Sequence, residues 1–310
     1  MSAPFRTAAV IGAGTIGLSW TALFAAHGLE VWVSDPRPDL EEAVRDALIT
    51  ALPTLAAQGL DTEGIHKRVH LAADVAEAVR EADVIQENGP ENVQFKAAVA
   101  EQALSLAPDH AILLSSTSQI PSGVFAKDLE HADRILVAHP LNPPYGMPLV
   151  EVVPSGRTSQ ETVERAVEFY RSVGRTPVVE HKEVRGFVAT ELQNVLASRA
   201  AELVLDGVVS PAELDLIVRS SLGLRWSALG PFLGLHLGGG PAGYRGLVAL
   251  VASDVPDEER PVMLRDKLVQ LVEDTYGLTR YGDYTTARDY RQQAVLDTLA
   301  ELPLPEPRDS

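Results

Sequence analysis

The chain has 310 residues and a formal net charge of −17, from 43 acidic and 26 basic side chains. An acidic surface attracts neither nucleic acid nor an anionic membrane, so we exclude both as partners. No cysteine is present, which excludes disulfides and thiolate chemistry. The length favours two domains, and the lack of a signal peptide or a long apolar run leads us to expect a cytoplasmic protein.

The first predicted element is a short buried strand at 8–11, which runs into a glycine-rich turn and an apolar helix. The turn reads Gly12-Ala13-Gly14-Thr15-Ile16-Gly17. Gly12 permits a tight turn, Gly14 lets the backbone approach a pyrophosphate, and Gly17 lets the helix pack close to the strand. The amides of the first helical turn, at Thr15 and Ile16, then face the phosphates. This stretch predicts a dinucleotide site.

The second predicted strand, at 30–35, ends in an acid. Asp35 lies 21 residues after Gly14, about where a carboxylate accepts hydrogen bonds from an adenosine ribose. A carboxylate there repels a 2′-phosphate, so NAD is favoured over NADP, although Arg37 slightly weakens that preference. The alternative is a glycine-rich turn in another α/β protein, with Asp35 as a solvated turn residue.

The following segments extend this α/β pattern. Helical stretches at 39–57 and 62–69 predict a helical hairpin inserted at about 36–73. Apolar strands are then predicted at 82–87, 111–114 and 134–139, each ending in polar residues, and ligands bind at that edge of open parallel sheets. We predict an α/β fold with an N-terminal Rossmann-type dinucleotide-binding domain.

The character of the sequence changes near Arg185. A long helix is predicted over 187–205, and Ser210-Pro211-Ala212-Glu213 is a capping box with proline at the first helical position. We therefore predict an NAD-binding domain over 1–184 and a mainly α-helical domain over 185–310.

Hydride transfer to or from an alcohol needs a proton partner that titrates near neutrality. Among eight histidines only His139 closes a buried parallel strand and enters a rigid, proline-rich loop. Glu151 lies on the returning strand, and a carboxylate on one imidazole nitrogen fixes the tautomer and stabilises the protonated ring. Ser118 ends the neighbouring strand, where it is placed to hydrogen-bond the reacting oxygen. A structural His–Glu pair and a loop-capping serine stay open as alternatives, and no metal site is predicted.

Several stretches together carry a family resemblance. They are GAGTIG at 12–17, the acid at Asp35, QENGPEN at 86–92, SSTSQ at 115–119, HPLNPPY at 139–145, PLVEVVP at 148–154, GFV at 186–188, SPAELDL at 210–216 and LGLRW at 222–226. On these motifs the chain resembles the 3-hydroxyacyl-CoA dehydrogenase superfamily from about residue 7 to 250. Within it, the chain is most similar to the L-gulonate 3-dehydrogenase/lambda-crystallin branch, with carnitine dehydrogenase close by.

The resemblance implies an NAD-dependent dehydrogenase that interconverts a 3-hydroxy and a 3-oxo group. It makes His139 the general acid/base, Glu151 its partner and Ser118 the ligand of the substrate oxygen. It also implies a homodimer formed through the C-terminal helical domain. The positions that match family contacts to NAD or lie near its nicotinamide are Glu91, Lys96 and Asn142.

One departure from the family pattern concerns the substrate. Thr190 stands where the family has an asparagine at a substrate-contacting helix position. Threonine lacks the donor–acceptor pair of an amide, and Asn194, one turn further on, is a candidate substitute. Arg225 is a candidate partner for a substrate carboxylate, with a plain ion pair as the alternative.

The substrate therefore stays open at this point. The acidic 36–73 segment offers few cations for a CoA phosphate, which favours a free hydroxy acid over an acyl-CoA. A reductase of a larger, polyketide-type ketone is the alternative enzyme. A non-catalytic, crystallin-like NAD-binding protein is the alternative from another class, and the intact Ser118, His139 and Glu151 argue against it.

Overall fold

The computed structural model describes residues 5–302. They form two compact units that divide after Val195. The predicted boundary near 185 precedes a long helix, whereas this division falls within it, because the first residues of the helix pack in the first unit. Phe187, for example, is fully buried in a core cluster of that unit.

The first unit is built on one eight-stranded sheet with the order β3-β2-β1-β4-β5-β6-β7-β8. Its strands are β1 Thr7–Ile11, β2 Glu30–Ser34, β3 Val69–Leu71, β4 Val84–Glu87, β5 Ile112–Ser115, β6 Ile135–Pro140, β7 Leu149–Pro154 and β8 Thr176–Val179. All neighbours are parallel except β6 and β7, which run antiparallel. The order reverses between β1 and β4, the switch point where such sheets bind ligands. The predicted Rossmann-type fold is confirmed.

Helices cover both faces of this sheet, so its strands are apolar on both sides. They are α1 Thr15–Ala26, α2 Leu40–Ala57, α3 Val75–Val79, α4 Val93–Leu106, α5 Ser122–Phe125 and α6 Gln160–Ser172, followed by the long α7 Phe187–Leu205. One face buries an aromatic group in which Trp20, Phe24, Phe169 and Tyr170 have ring centroids 5.1 to 5.6 Å apart. The other face buries Ile85, among other residues.

The inserted segment differs from the predicted hairpin in its second arm. Its first arm is α2, but 62–69 holds only a 3₁₀ turn, Ile65–Arg68. Gly64 precedes that turn in the left-handed region, with φ 65°, and β3 begins directly after it at Val69. Only four residues lie between Gly64 and β3, and this short connection forms a single 3₁₀ turn, which is common in connectors.

The second unit is helical in its described part. Its α-helices are α8 Pro211–Val218, α9 Leu224–Leu229, α10 Pro231–Gly238, α11 Gly243–Ala252, α12 Asp266–Tyr276 and α13 Tyr281–Glu301. The capping box at Ser210 is formed as predicted, with the Glu213 amide donating to the serine hydroxyl. Tyr244 is the largest side chain of a small core between α11 and α12. Across residues 5–302, no helix is long and apolar enough to cross a membrane.

Candidate active site

The glycine-rich turn at the end of β1 has the shape that a dinucleotide requires. Gly12 has φ +95°, and a Cβ there would lie 2.9 Å from the carbonyl of Asn88. A Cβ on Gly17 would clash with the carbonyl oxygen of Gly12, whereas a Cβ on Gly14 would meet no atom within 4 Å. Helix α1 begins at Thr15 with Gly14 as an N-cap that makes no side-chain hydrogen bond. The first-turn amides are therefore free for a phosphate, with open space above Gly14.

Asp35 holds the far side of this turn. Its Oδ2 accepts the Ala13 amide at 2.7 Å and its Oδ1 accepts the Arg37 amide at 2.9 Å. The Arg37 guanidinium is bound to Asp39 at 2.8 Å and to the Ala13 carbonyl at 3.1 Å. An arginine held in this way is not free to bind a 2′-phosphate, so these residues fit NAD.

His139 and Glu151 are direct partners across the antiparallel strands β6 and β7. The imidazole Nδ1 lies 2.7 Å from Glu151 Oε2, and the two residues are only 5% and 4% exposed. Burial acts to raise the pKa of Glu151, but hydrogen bonds from His139 and from the Ala189 amide outweigh it and hold that pKa below its usual value. A carboxylate on Nδ1 places the lone pair of the neutral ring on Nε2, which makes Nε2 the proton acceptor.

The start of α7 completes the surroundings of this pair. Phe187 adopts the left-handed region at φ 51°, a conformation that costs a side-chain-bearing residue about 1–2 kcal/mol. Its buried ring packs on His139 with the centroids 5.3 Å apart. The next two amides point to carboxyl groups: Val188 N–H donates to Glu180 at 3.0 Å, and Ala189 N–H donates to Glu151 at 2.7 Å. The strained turn therefore positions the acid/base pair.

A cleft of about 380 Å³ lies in front of His139. The predicted site residues that line it are Ile16, Glu91, Ser118, His139, Asn142 and Thr190. Residues from the glycine-rich turn, from the loop after β5 and from the start of α7 thus line one cavity of the first unit. Gln193 also lines this cavity, although sequence reasoning did not single it out. Gln193 follows Thr190 by three residues on the predicted helix, and this spacing, which places two side chains on one helix face, was the signal that could have identified it.

Glu91 organises the Ser118 side of the cleft. Its Oε1 accepts the Ser118 amide at 2.6 Å and the Ser118 hydroxyl at 3.1 Å, and its Oε2 accepts the Thr117 hydroxyl at 2.6 Å. The Ser118 hydroxyl can rotate about its Cβ–Oγ bond, so that it donates to a substrate oxygen in the cleft instead of to Glu91.

Three predicted residues lie elsewhere. Lys96 is 1% exposed, and its Nζ sits 3.0 Å from Glu87 beneath the cleft, which it does not line. Asn194 is exposed on α7, where Gln193 rather than Asn194 shares the cleft with Thr190. Arg225 lies on α9 in the second unit. Contacts of these three residues with NAD or substrate stay predictions.

Known proteins resemble both parts of the chain. The family described as "3-hydroxyacyl-CoA dehydrogenase, NAD binding domain" matches residues 7–184, and "3-hydroxyacyl-CoA dehydrogenase, C-terminal domain" matches residues 186–274. An L-carnitine dehydrogenase from Pseudomonas aeruginosa is 37% identical over 303 residues, covering 96% of this chain and 94% of the relative. A 3-hydroxyacyl-CoA dehydrogenase from Gibberella moniliformis is 40% identical over 247 residues, covering 79% of this chain and 76% of the relative.

Solved structures agree with these matches. The NAD⁺-dependent dismutase 5-formyl-3-hydroxy-2-methylpyridine 4-carboxylic acid 5-dehydrogenase superposes with a TM-score of 0.72 at 27% identity, over 93% of this chain and 99% of that one. A 3-hydroxybutyryl-CoA dehydrogenase from Escherichia coli superposes with a TM-score of 0.62 at 26% identity, over 87% of this chain and 56% of that one.

Proposed function

This chain belongs to the 3-hydroxyacyl-CoA dehydrogenase family, and on that premise we propose that it oxidises a small, free 3-hydroxy acid through His139, Glu151 and Ser118. It is an NAD-dependent oxidoreductase that acts on CH–OH groups. The observation that carries the proposal is the buried His139–Glu151 pair, whose Nδ1–Oε2 distance is 2.7 Å, at a cleft beside the glycine-rich turn.

The proton chemistry follows from the roles of the three side chains. In the oxidation, the Ser118 hydroxyl donates a hydrogen bond to the substrate oxygen, and Nε2 of His139 removes the proton of the substrate hydroxyl. Glu151 stabilises the imidazolium that forms, because its carboxylate already holds Nδ1–H. NAD, when bound, would accept the hydride from the substrate carbon that bears this hydroxyl. In the reduction, His139 returns the proton to the carbonyl oxygen as a general acid.

The charges of the first unit favour a free acid over a CoA thioester. Among the residues described as lining the cleft there is no lysine or arginine. In the inserted segment Arg37 is paired with Asp39, and Arg45 lies 3.5 Å from Asp46 and 3.7 Å from Glu42. Two of the four lysine and arginine side chains of that segment are thus paired with acids, which leaves Lys67 and Arg68 to bind the phosphates of CoA. The similarity to L-carnitine dehydrogenases points the same way.

A substrate panel tests this proposal. NADH formation is measured with L-carnitine, L-gulonate and 3-hydroxybutyryl-CoA, together with a titration of NADH fluorescence. We expect kcat/KM for one of the free acids to exceed that for the thioester by about 100-fold or more, since recognition of a polar group discriminates strongly. Preference for the thioester would contradict the proposed substrate class. NADH binding without turnover on any hydroxy acid would support the non-catalytic alternative.

The cofactor preference gives a second expected result. Asp35→Ser removes a charged acceptor, and we expect kcat/KM for NAD to fall by about tenfold. Asp35→Ser combined with Asp39→Asn also releases Arg37, so this double variant is expected to gain activity with NADP that the single variant lacks. Asp39→Asn alone is the matched control and retains the preference for NAD. Equal use of NAD and NADP by the unsubstituted enzyme would refute the role of Asp35.

We also propose a homodimer formed through the second unit, which carries large exposed apolar side chains. Leu205 and Leu250 are 85% and 74% exposed there. Leu250→Glu is expected to shift sedimentation velocity from dimer to monomer at micromolar concentration, because burying the new carboxylate is costly. Leu106→Glu, at a 49% exposed leucine of the first unit, is the control and should stay dimeric. A monomeric unsubstituted protein would disprove this assembly.

A further inference from the structure

Glu180 is a buried carboxyl group that the proposed mechanism does not use. It directly follows β8, the strand that pairs with β7, and it is 8% exposed. Its Oε1 accepts the Val188 amide at 3.0 Å. Among the described residues its Oε2 is buried and has no hydrogen-bond partner. A buried acceptor without a donor is unusual in a folded protein and calls for an explanation.

The carboxyl group of Glu151 offers an explanation for the unpartnered oxygen of Glu180. Glu151 lies within hydrogen-bonding reach of Glu180, but two ionised carboxylates have no proton with which to make that bond. Burial is the main cause that raises the pKa of Glu180, the Val188 amide opposes it, and the charge of Glu151 raises it further. The pKa of Glu151 is instead lowered by His139 and the Ala189 amide. The two environments therefore shift the pKa values of the two carboxyl groups in opposite directions.

The charges around the pair cannot support two anions. The titratable groups that face Glu180 within the described residues are Glu151 on β7 and His139 on β6. Helix α7 contributes only backbone amides, and a helix N-terminus is equivalent to about half a positive charge. His139 acts to lower the pKa of Glu180, but it is the smallest of the influences on that group and is already paired with Glu151. Carboxylates that share a buried site hold one proton between them.

We propose that Glu180 carries this proton at neutral pH and donates it to Glu151, which makes the site a chain of three side chains, His139–Glu151–Glu180. Glu180 is then a positioning residue. Its neutral carboxyl holds Glu151 against Nδ1 of His139 without adding a second negative charge, so that the imidazolium formed in the oxidation can release its proton again. The kinetic consequence rests on the proposed role of His139, whereas the protonation of Glu180 does not.

Kinetics of three variants test the charge and the hydrogen bond separately. Glu180→Gln keeps a neutral donor beside Glu151, so the acid limb of the kcat/KM profile should stay at the same pH. Glu180→Leu has no donor, and we expect kcat/KM to fall by about tenfold. Glu183→Gln is the matched control, because Glu183 also accepts a backbone amide, that of Gly123 at 2.7 Å, on the same connection. A shift of the limb in Glu180→Gln towards lower pH by about one unit would show that Glu180 is an anion and would overturn the proposal.

Two measurements on the folded protein need no substrate. Infrared spectra at neutral pH should show the carbonyl band of a protonated carboxyl group in the wild type and in Glu183→Gln, and should lack it in Glu180→Gln. A group whose pKa is raised on folding loses its stabilising contribution as the pH rises, so Glu180→Gln should be at least as resistant to urea as the wild type at neutral pH. Absence of the band from the wild type would refute the proposal whatever the substrate proves to be.

Discussion

We expect His139→Gln to lower kcat for NAD-dependent oxidation by about 10²- to 10⁴-fold, the usual contribution of a positioned general base. Glutamine retains a hydrogen-bonding group of similar length but cannot take up a proton. NADH affinity should change little, since the glycine-rich turn and Asp35 follow other strands, β1 and β2. Steady-state rates of NADH formation and a fluorescence titration of NADH measure the two effects separately.

The control for this variant is His110→Gln. His110 lies outside the cleft, where its Nε2 is 3.0 Å from Asp83. Rates close to those of the wild type are expected for it. A His139→Gln enzyme that kept most of its turnover would remove His139 from the chemistry and leave the pair with Glu151 as a structural feature only.

The second large effect concerns the glycine-rich turn, where two neighbouring glycines should respond differently to alanine. Gly17→Ala places a methyl group against the carbonyl oxygen of Gly12, and we expect the free energy of unfolding to fall by about 3 kcal/mol. Gly14→Ala places its methyl group in open space at φ −76°, which alanine adopts readily, so the fold should be unchanged. That methyl group instead occupies the space for the phosphates, and NADH affinity should fall by about tenfold, or about 1.4 kcal/mol.

Urea unfolding and NADH titration of both variants check this contrast. The loss of stability should appear in Gly17→Ala and the loss of NADH affinity in Gly14→Ala. Equal stability losses would mean that the turn does not have the described geometry. Unchanged NADH affinity in Gly14→Ala would place the phosphates elsewhere.

The fold was predictable because its signals are local. Apolar strands ending in polar residues, the glycine spacing after β1 and the capping box at Ser210 each depend on a few neighbouring residues. The second arm at 62–69 was mispredicted because helical periodicity alone does not reveal that Gly64 turns the chain just before β3. Where such a helical segment ends depends on how the next strand pairs in the sheet, and a local sequence pattern does not reveal that pairing.

The site was predictable where strand ends bring residues together. His139 and Glu151 were expected to meet because one strand returns beside the other, and their pairing register makes them direct partners. The role of Glu180 was not predictable, since it approaches Glu151 from the end of β8 and becomes visible only through its unpaired oxygen. The burial of Lys96 was equally hard to predict. Its partner Glu87 ends β4, the strand before its helix, and this carboxylate competes with any ligand for the lysine Nζ.

The pH dependence of kcat/KM in both directions tests the central claim most directly. If His139 is the base in oxidation and the acid in reduction, the oxidation profile rises with pH and the reduction profile falls across the same interval. Glu151→Gln should move both limbs together to lower pH, because the imidazolium loses its carboxylate partner. A reduction rate that does not fall as pH rises, or limbs unmoved in Glu151→Gln, would contradict the account.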